Sequence, residues 1–404
     1  MKKMLQITLG IVTSVGGFLE IGSVTTAAQA GASFRYQLLW AILLGTICLI
    51  FLVEMSGRLA AVSKHTIVEA TRERFGFPFF FIVLVGMVLV SFLVLVAELG
   101  GIGLAIQILT GIGFPWWAVP VSLIVWLLMW KGTFSLIENG ASLLGLVTLS
   151  FVVAAVKLHP NWSSAANGLL PSFPGDQKAK YWFVAVSILG ASISPYLMYF
   201  YSSGAIEDEW DETYIPINRF IATFGMSLGG LLSMAVLIVA ALVFHPRGID
   251  IEKFEQASLL MTTALPKWGF FLFAMSMLFA CLGAALEISL AIAYFFAQGF
   301  GWNWSENLTP SRDARFCFTY TIIIMLAAIP LLFGVDPIKV TIISMALTSA
   351  ALPLAIVPFL FLMNDPIYLG KHRNGWVSNT VVAMIVLISF VLALISIPLE
   401  IMGG

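Results

Sequence analysis

Two short stretches set polar side chains among helix-breaking residues inside apolar surroundings: Gly16-Gly17-Phe18-Leu19-Glu20-Ile21-Gly22-Ser23 and Gly190-Ala191-Ser192-Ile193-Ser194-Pro195. One carboxylate, several hydroxyls and the carbonyls of unwound backbone are oxygen donors, which suits cation binding rather than bond-making chemistry. No Walker motif, GxSxG or histidine cluster competes for a catalytic role, so the sequence does not read as an enzyme and no cofactor is expected. Ser23 and Ser194 also have a plain reading as helix caps. Ser194 followed by Pro195 is how a new helix starts, the hydroxyl accepting from a free N–H and proline taking the first helical position. Capping and ligand contact are compatible, since an exposed helix end turns carbonyls and hydroxyls toward the same space.

The elements that must carry these stretches are membrane helices. Of 404 residues, 60 % are hydrophobic and 10 % charged, too few charges to cover a soluble surface. The chain therefore reads as an all-α membrane protein, a single transmembrane domain over 1–404 that contacts lipid. A formal net charge of −1 leaves no nucleic-acid footprint. Apolar runs of spanning length fall at about 9–31, 37–60, 78–110, 115–131, 137–157, 181–203, 217–244, 268–299, 316–335, 338–363 and 377–401, eleven transmembrane helices in all. Most basic residues, Lys2, Lys3, Arg58, Lys64, Arg72, Arg74, Lys131, Arg219, Arg312, Arg315, Lys371 and Arg373, then fall on one side. That side is the cytoplasm, which puts the N-terminus inside and the C-terminus outside the cell membrane. The long segments 158–180 and 245–267 become outer caps.

Lys2, Lys3, the apolar run to Leu19 and Ala28-Gln29-Ala30 imitate a signal peptide, but Glu20 interrupts the run and retention is expected. Cys48, Cys281 and Cys317 lie in or beside apolar stretches and read as packing residues.

A carboxylate at mid-membrane costs on the order of 2.5–3.5 kcal/mol, so Glu20 must face a partner or water and reads as a substrate or proton group. Broken helices at corresponding places in spans one and six mark the midplane site of inverted-repeat carriers, because unwound backbone is tolerated only where it lines a cavity or binds something. Spans one to five (9–157) and six to ten (181–363) form the two halves, with 377–401 as an eleventh helix.

These residues resemble the Nramp family of divalent metal transporters, whose fold is LeuT-like with 5+5 inverted repeats. Glu20-Ile21-Gly22-Ser23 and Gln29-Ala30-Gly31-Ala32 lie where that family has Asp-Pro-Gly-Asn and Gln-Ala-Gly-Ala. Leu38-Leu39-Trp40, Gly57-Arg58-Leu59 and Arg72-Glu73-Arg74-Phe75 look like its second helix and the loop beyond. Ala97-Glu98 sits where the family has an acid in its proton route, and Gly190-Ala191 with Pro195 matches its unwound motif in span six. The resemblance covers essentially the whole chain. It implies a secondary transporter that moves a divalent cation by alternating access. Glu20, Ser23, Ala191 and Ser194 would form its metal site, with Glu98, Tyr196 and Tyr201 on a proton or coupling path.

The departures fall on the site itself. The family's aspartate, asparagine and methionine become Glu20, Ser23 and Ser194, and only Ala191 is unchanged. Its two span-six histidines become Tyr196 and Tyr201, and its span-ten glutamine aligns with Met345. Loss of the span-six thioether turns the preference toward a hard ion such as Mg, as in magnesium-transporting relatives that also lack it. Tyrosine titrates at about 10, which weakens proton coupling by that route.

Two other readings stay open. One is a carrier of a small organic solute such as an amine, with Glu20 as counter-ion and the tyrosine rings attracting the cation. The other is a non-transporting membrane sensor that has kept the fold. Glu98 reads equally as a structural partner for serine or backbone, and Glu287 is a further intramembrane acid. Glu54 and Glu138 lie near enough to helix ends to snorkel. The run Glu207-Asp208-Glu209-Trp210-Asp211-Glu212 reads as a solvated cytoplasmic face, or as an inner mouth paired with Arg72 and Arg74.

Overall fold

In lipid every backbone N–H and C=O has to be satisfied within its own segment, so long apolar runs fold as helices. The computed structural model describes residues 20–131, 146–172, 177–249, 256, 258–305 and 314–401, and the regular structure among them is helical. The first half contains α1 (Ile21–Phe34), α2 (Leu39–Ser63), the short α3 (Ile67–Phe75), α4 (Phe77–Thr110), α5 (Ala118–Lys131) and α6 (Ser150–Lys157). The second contains α7 (Lys178–Ser192), α8 (Pro195–Glu207), α9 (Ile215–Val243), α10 (Gly269–Phe300), α11 (Ala314–Leu332) and α12 (Pro337–Asn364), followed by α13 (Trp376–Ile401).

Among the described residues, eight helical segments are long and apolar enough to cross a membrane, with α7 and α8 together making one of them. The helices α1, α6 and α13 are the described parts of the expected spans one, five and eleven. Lys2, Lys3, the stretch 16–19, Glu138 and Arg312 lie outside the described residues.

The helices pair as an inverted repeat requires. Spans three and eight, α4 and α10, lie along each other, and span one packs on span seven (α1 on α9) just as span six packs on span two (α7 and α8 on α2). Small residues permit the contacts. A methyl group on Gly31 of α1 would collide with the Leu237 carbonyl oxygen and lie 2.8 Å from Ala240 Cβ of α9, so only glycine lets these backbones meet. Large apolar side chains on α4, including Phe77, Phe81, Ile82 and Leu89, stay exposed, as a lipid-facing surface should.

Candidate functional site

Glu20 has extended backbone (φ −120°, ψ 172°) and is the N-cap of α1. Ser23, three residues on, accepts from the Glu20 N–H (3.0 Å) and donates to the Glu20 carbonyl (2.9 Å). This corrects the expectation that Ser23 caps the helix. The helix starts three residues earlier, and the hydroxyl reaches back from inside the first turn as the returning half of a capping box. Ser23 thereby holds the backbone of the acid.

In span six, α7 ends at Ser192, Ile193 (φ −103°, ψ 69°) and Ser194 (φ −76°, ψ 110°) are unwound, and α8 begins at Pro195. The break is narrower than the motif suggested, since Gly190 and Ala191 remain helical. Ser194 occupies the N-cap position, but its side chain makes no capping bond. Its hydroxyl donates instead to the Ala191 carbonyl (3.2 Å) and to Glu20 Oε1 (3.4 Å). The Ser194 side chain therefore does not cap α8 but turns to the acid.

The Tyr196 hydroxyl donates to Glu20 Oε2 at 3.2 Å, so both carboxylate oxygens are held by span six. Glu20 is 1 % exposed. The N-termini of α1 and α8 both meet it, and their partial positive charges favour a carboxylate there. Ala191 lies in the last turn of α7, whose carbonyls lack helical partners and carry partial negative charge suited to a cation. An anionic oxygen and a carbonyl end thus meet at one buried point.

Behind Glu20, the Ile21 N–H donates to Glu98 Oε1 of α4 at 3.1 Å. Glu98 is fully buried. Of its two sequence readings, backbone partner is the one seen in the geometry. Cys48, Cys281 and Cys317 are all buried thiols. Glu287 lies on α10.

Met345 of α12 is the residue the sequence reading did not count as a donor. A methyl group on Gly22 would lie 2.5 Å from its Cε, 3.0 Å from its Sδ and 3.5 Å from Glu20 Oε1, so thioether and carboxylate converge over Gly22. The wall of the site is therefore not all oxygen, which corrects the donor set on which a hard-ion preference rested. The alignment with the family's span-ten glutamine was the only signal, and it does not say which way the side chain faces. Among the described residues no group of three or more His, Cys, Asp or Glu is placed to hold a metal ion.

Tyr201 does not join Tyr196. Five residues further along α8 is about 7.5 Å of rise, and its hydroxyl donates to Asn218 Oδ1 (3.0 Å), whose amide donates to the Glu54 carbonyl (2.7 Å). Glu54 does not snorkel either. It is drawn in by Arg58 (3.1 Å) and Arg219 (3.3 Å), and the buried Arg58 also donates to the His372 carbonyl (2.6 Å) and Asn374 Oδ1 (2.8 Å).

The acidic run after α8 does not take up the alternative reading of a pairing with Arg72 and Arg74. Arg72 donates to the Gln298 carbonyl (2.8 Å) in the last turn of α10, where the helix dipole favours a cation, and Arg74 pairs with Asp365 (2.6 Å). The run meets other bases instead. The Lys64 ammonium donates to the Trp210 carbonyl, and Glu212 meets Lys371 (3.2 Å) and His372 (3.0 Å), whose hydrogen bonds hold its carboxyl below the usual range.

A family model described as natural resistance-associated macrophage protein-like matches residues 10–398. The chain is 28 % identical over 390 residues to the divalent metal cation transporter MntH of Deinococcus radiodurans, covering 92 % of this chain and 85 % of the relative. With the MntH of Aeromonas hydrophila subsp. hydrophila it shares 24 % over 378 residues, 92 % of this chain and 90 % of that one. Among solved structures, the Eremococcus coleocola manganese transporter in complex with an aromatic bis-isothiourea substituted compound is similar at TM-score 0.76 and 21 % identity, over 96 % of this chain and 85 % of that one. Mhp1, a nucleobase-cation-symport-1 family transporter, is similar at TM-score 0.63 and 16 % identity, over 97 % and 91 % respectively. These likenesses carry the LeuT-like fold.

Proposed function

The chain belongs to the natural resistance-associated macrophage protein-like family, membrane transporters rather than enzymes, and from that premise we propose that it carries a divalent metal cation by alternating access through the site at Glu20. The observation that supports this most is the meeting of the buried Glu20 carboxylate with the Ala191, Ser194 and Tyr196 groups of the span-six break. A carboxylate held in this way keeps lone pairs for an incoming cation, since each oxygen can accept more than one partner. The names of the relatives, divalent metal cation and manganese transporters, support the same cargo.

In this reading the halves 9–157 and 181–363 move against each other around the fixed site. The network of Tyr201, Asn218, Glu54 and Arg58 closes the cytoplasmic end. Arg58, Lys64, Arg72, Arg74, Arg219 and Lys371 take partners from neighbouring segments of that end, which supports an N-terminus inside and a C-terminus outside the cell membrane. Glu20, Ser194 and Ala191 act as ligands, and Ser23 positions Glu20. A magnesium preference is not part of the proposal, because the Met345 thioether borders the carboxylate. An amine carrier is less well supported. Tyr196 gives Glu20 its hydroxyl and Tyr201 lies elsewhere, so the two rings do not assemble an aromatic cage.

Uptake of Mn, Cd, Mg and a primary amine into proteoliposomes tests the reading. Metal uptake that disappears in Glu20→Gln is expected. Uptake of the amine alone, or metal uptake unaffected by Glu20→Gln, would overturn it.

A further inference from the structure

At the end of the molecule where α4 begins and α10 ends, a row of aromatic rings runs from the lipid-facing surface to a cation. Phe77 of α4 and Phe300 of α10 are 45 % and 42 % exposed, and their ring centroids lie 5.9 Å apart. Phe300 stacks on Trp302 just beyond α10, at 5.5 Å with 22° between the planes, and the Arg315 guanidinium of α11 sits 5.7 Å from the Trp302 ring centroid. Arg315 is exposed, and among the described residues no acid pairs with it. Arg72 adds positive charge nearby. Its Nη1 lies 3.3 Å from where a methyl group on Gly301 would sit, with Glu73 at 4.0 Å from its other terminal nitrogen.

Exposed rings alone are what any membrane helix shows, and a lone arginine at a helix end would simply reach for water. Here the indole holds the guanidinium against the end of the row, and tryptophan belongs at the depth of lipid headgroups. Apolar rings and a fixed cation are thus joined in the way that a phospholipid joins acyl chain and phosphate. We propose that this face binds an anionic phospholipid, its headgroup phosphate on Arg315 and an acyl chain along Phe77 and Phe300. The planar guanidinium fork can pair with two phosphate oxygens at once. A headgroup with net negative charge keeps that attraction whole, whereas the cation of a choline headgroup offsets it. The bound lipid would bridge α4 of the first half to α10 and α11 of the second, so its binding should be visible as stability.

Lys131 provides a comparison at the same end of the molecule. Phe114, just before α5, and Leu331, near the end of α11, both meet α4, at Gly103 and Gly100 respectively, so α5 and α11 run antiparallel. Lys131 is exposed as well but stands outside the row of rings.

The test melts the full-length protein in neutral detergent against dioleoyl phosphatidylglycerol, dioleoyl phosphatidylcholine and inorganic phosphate. Phosphatidylglycerol is expected to raise the melting temperature saturably and more than phosphatidylcholine does, with phosphate alone having no effect. Arg315→Gln should raise the half-saturating phosphatidylglycerol concentration about fivefold, the effect of one basic residue at an anionic surface. Trp302→Leu, which frees the guanidinium, should raise it too, and Lys131→Gln should raise it less than Arg315→Gln. Each variant is compared with itself across the three additives, so a change in its basal stability does not imitate the effect. Equal stabilisation by both lipids, or a shift reproduced by phosphate, overturns the proposal. So does an unchanged half-saturation in Arg315→Gln, or a loss as large in Lys131→Gln.

Discussion

The Ile21 N–H, the first amide of α1, donates to Glu98 Oε1 at 3.1 Å across 77 positions of sequence. That bond fixes where helix one begins, because a helix start leaves its first amides without internal partners and this one is buried away from water. Glu20 is the adjacent residue, so the direction in which its carboxylate faces depends on an acid from another helix.

Removing Glu98 should therefore injure both stability and transport. Glu98→Ala leaves the Ile21 amide buried without an acceptor, at a cost of about 1–3 kcal/mol, and metal uptake should drop with it. Glu98→Gln keeps a carbonyl acceptor and should recover most of the stability. Melting temperatures of the two variants in detergent make the comparison. Equal losses in both would mean that charge, and not the hydrogen bond, is what matters at this position.

Gly22→Ala places a methyl 2.5 Å from Met345 Cε and 3.0 Å from Sδ. The methionine end is flexible and can move aside, so the stability cost should stay near the low end of about 1–3 kcal/mol for an overpacked core. Transport should fall much further than stability, because the displaced group borders Glu20. Combining Gly22→Ala with Met345→Ala relieves the clash, so in a double-mutant cycle the melting temperatures should be non-additive. Additive losses would show that the two residues do not share that space.

Asp365 joins the ends of α3 and α12. Its carboxyl accepts from the Ile367 N–H (2.9 Å) and pairs with Arg74 (2.6 Å), and these two interactions, in that order, hold it below its ordinary value of 3.8. A carboxylate depressed in the folded state contributes stability that is fully present above its unfolded value and lost as pH falls through the folded one. Asp365→Asn keeps a capping acceptor and loses the ion pair. The variant should be less stable than wild type at neutral pH, with the gap closing as pH drops below 3.8. A gap that stays constant down to acid pH would assign the effect to the cap alone.

Much of this architecture is legible in one dimension. The membrane class follows from charge scarcity, since 10 % charged residues cannot clothe a soluble surface. Span positions follow from apolar run length, and the span-six break is announced by a serine and a proline where an unbroken apolar helix should carry neither. The motif around Glu20 also carries the family. These are local properties, set by what each segment does with its own backbone in lipid.

Which polar groups actually meet is a different matter. The serine expected to cap α1 serves it from the third position, and the serine expected to cap α8 turns to Glu20. Tyr201 leaves the site for Asn218, Arg72 goes to the end of α10, and Met345 comes in from α12. Each outcome depends on the rotation and crossing of helices far apart in the chain. Those are set by close contacts at small residues such as Gly22, Gly31 and Gly190, and a helical period cannot express them. The sequence by itself determined a helical membrane protein with a break in its sixth span and an acid, Glu20, among the polar residues of its first. Only the tertiary structure decided that the acid is held by span six, pinned from behind through Glu98, and bordered by sulfur.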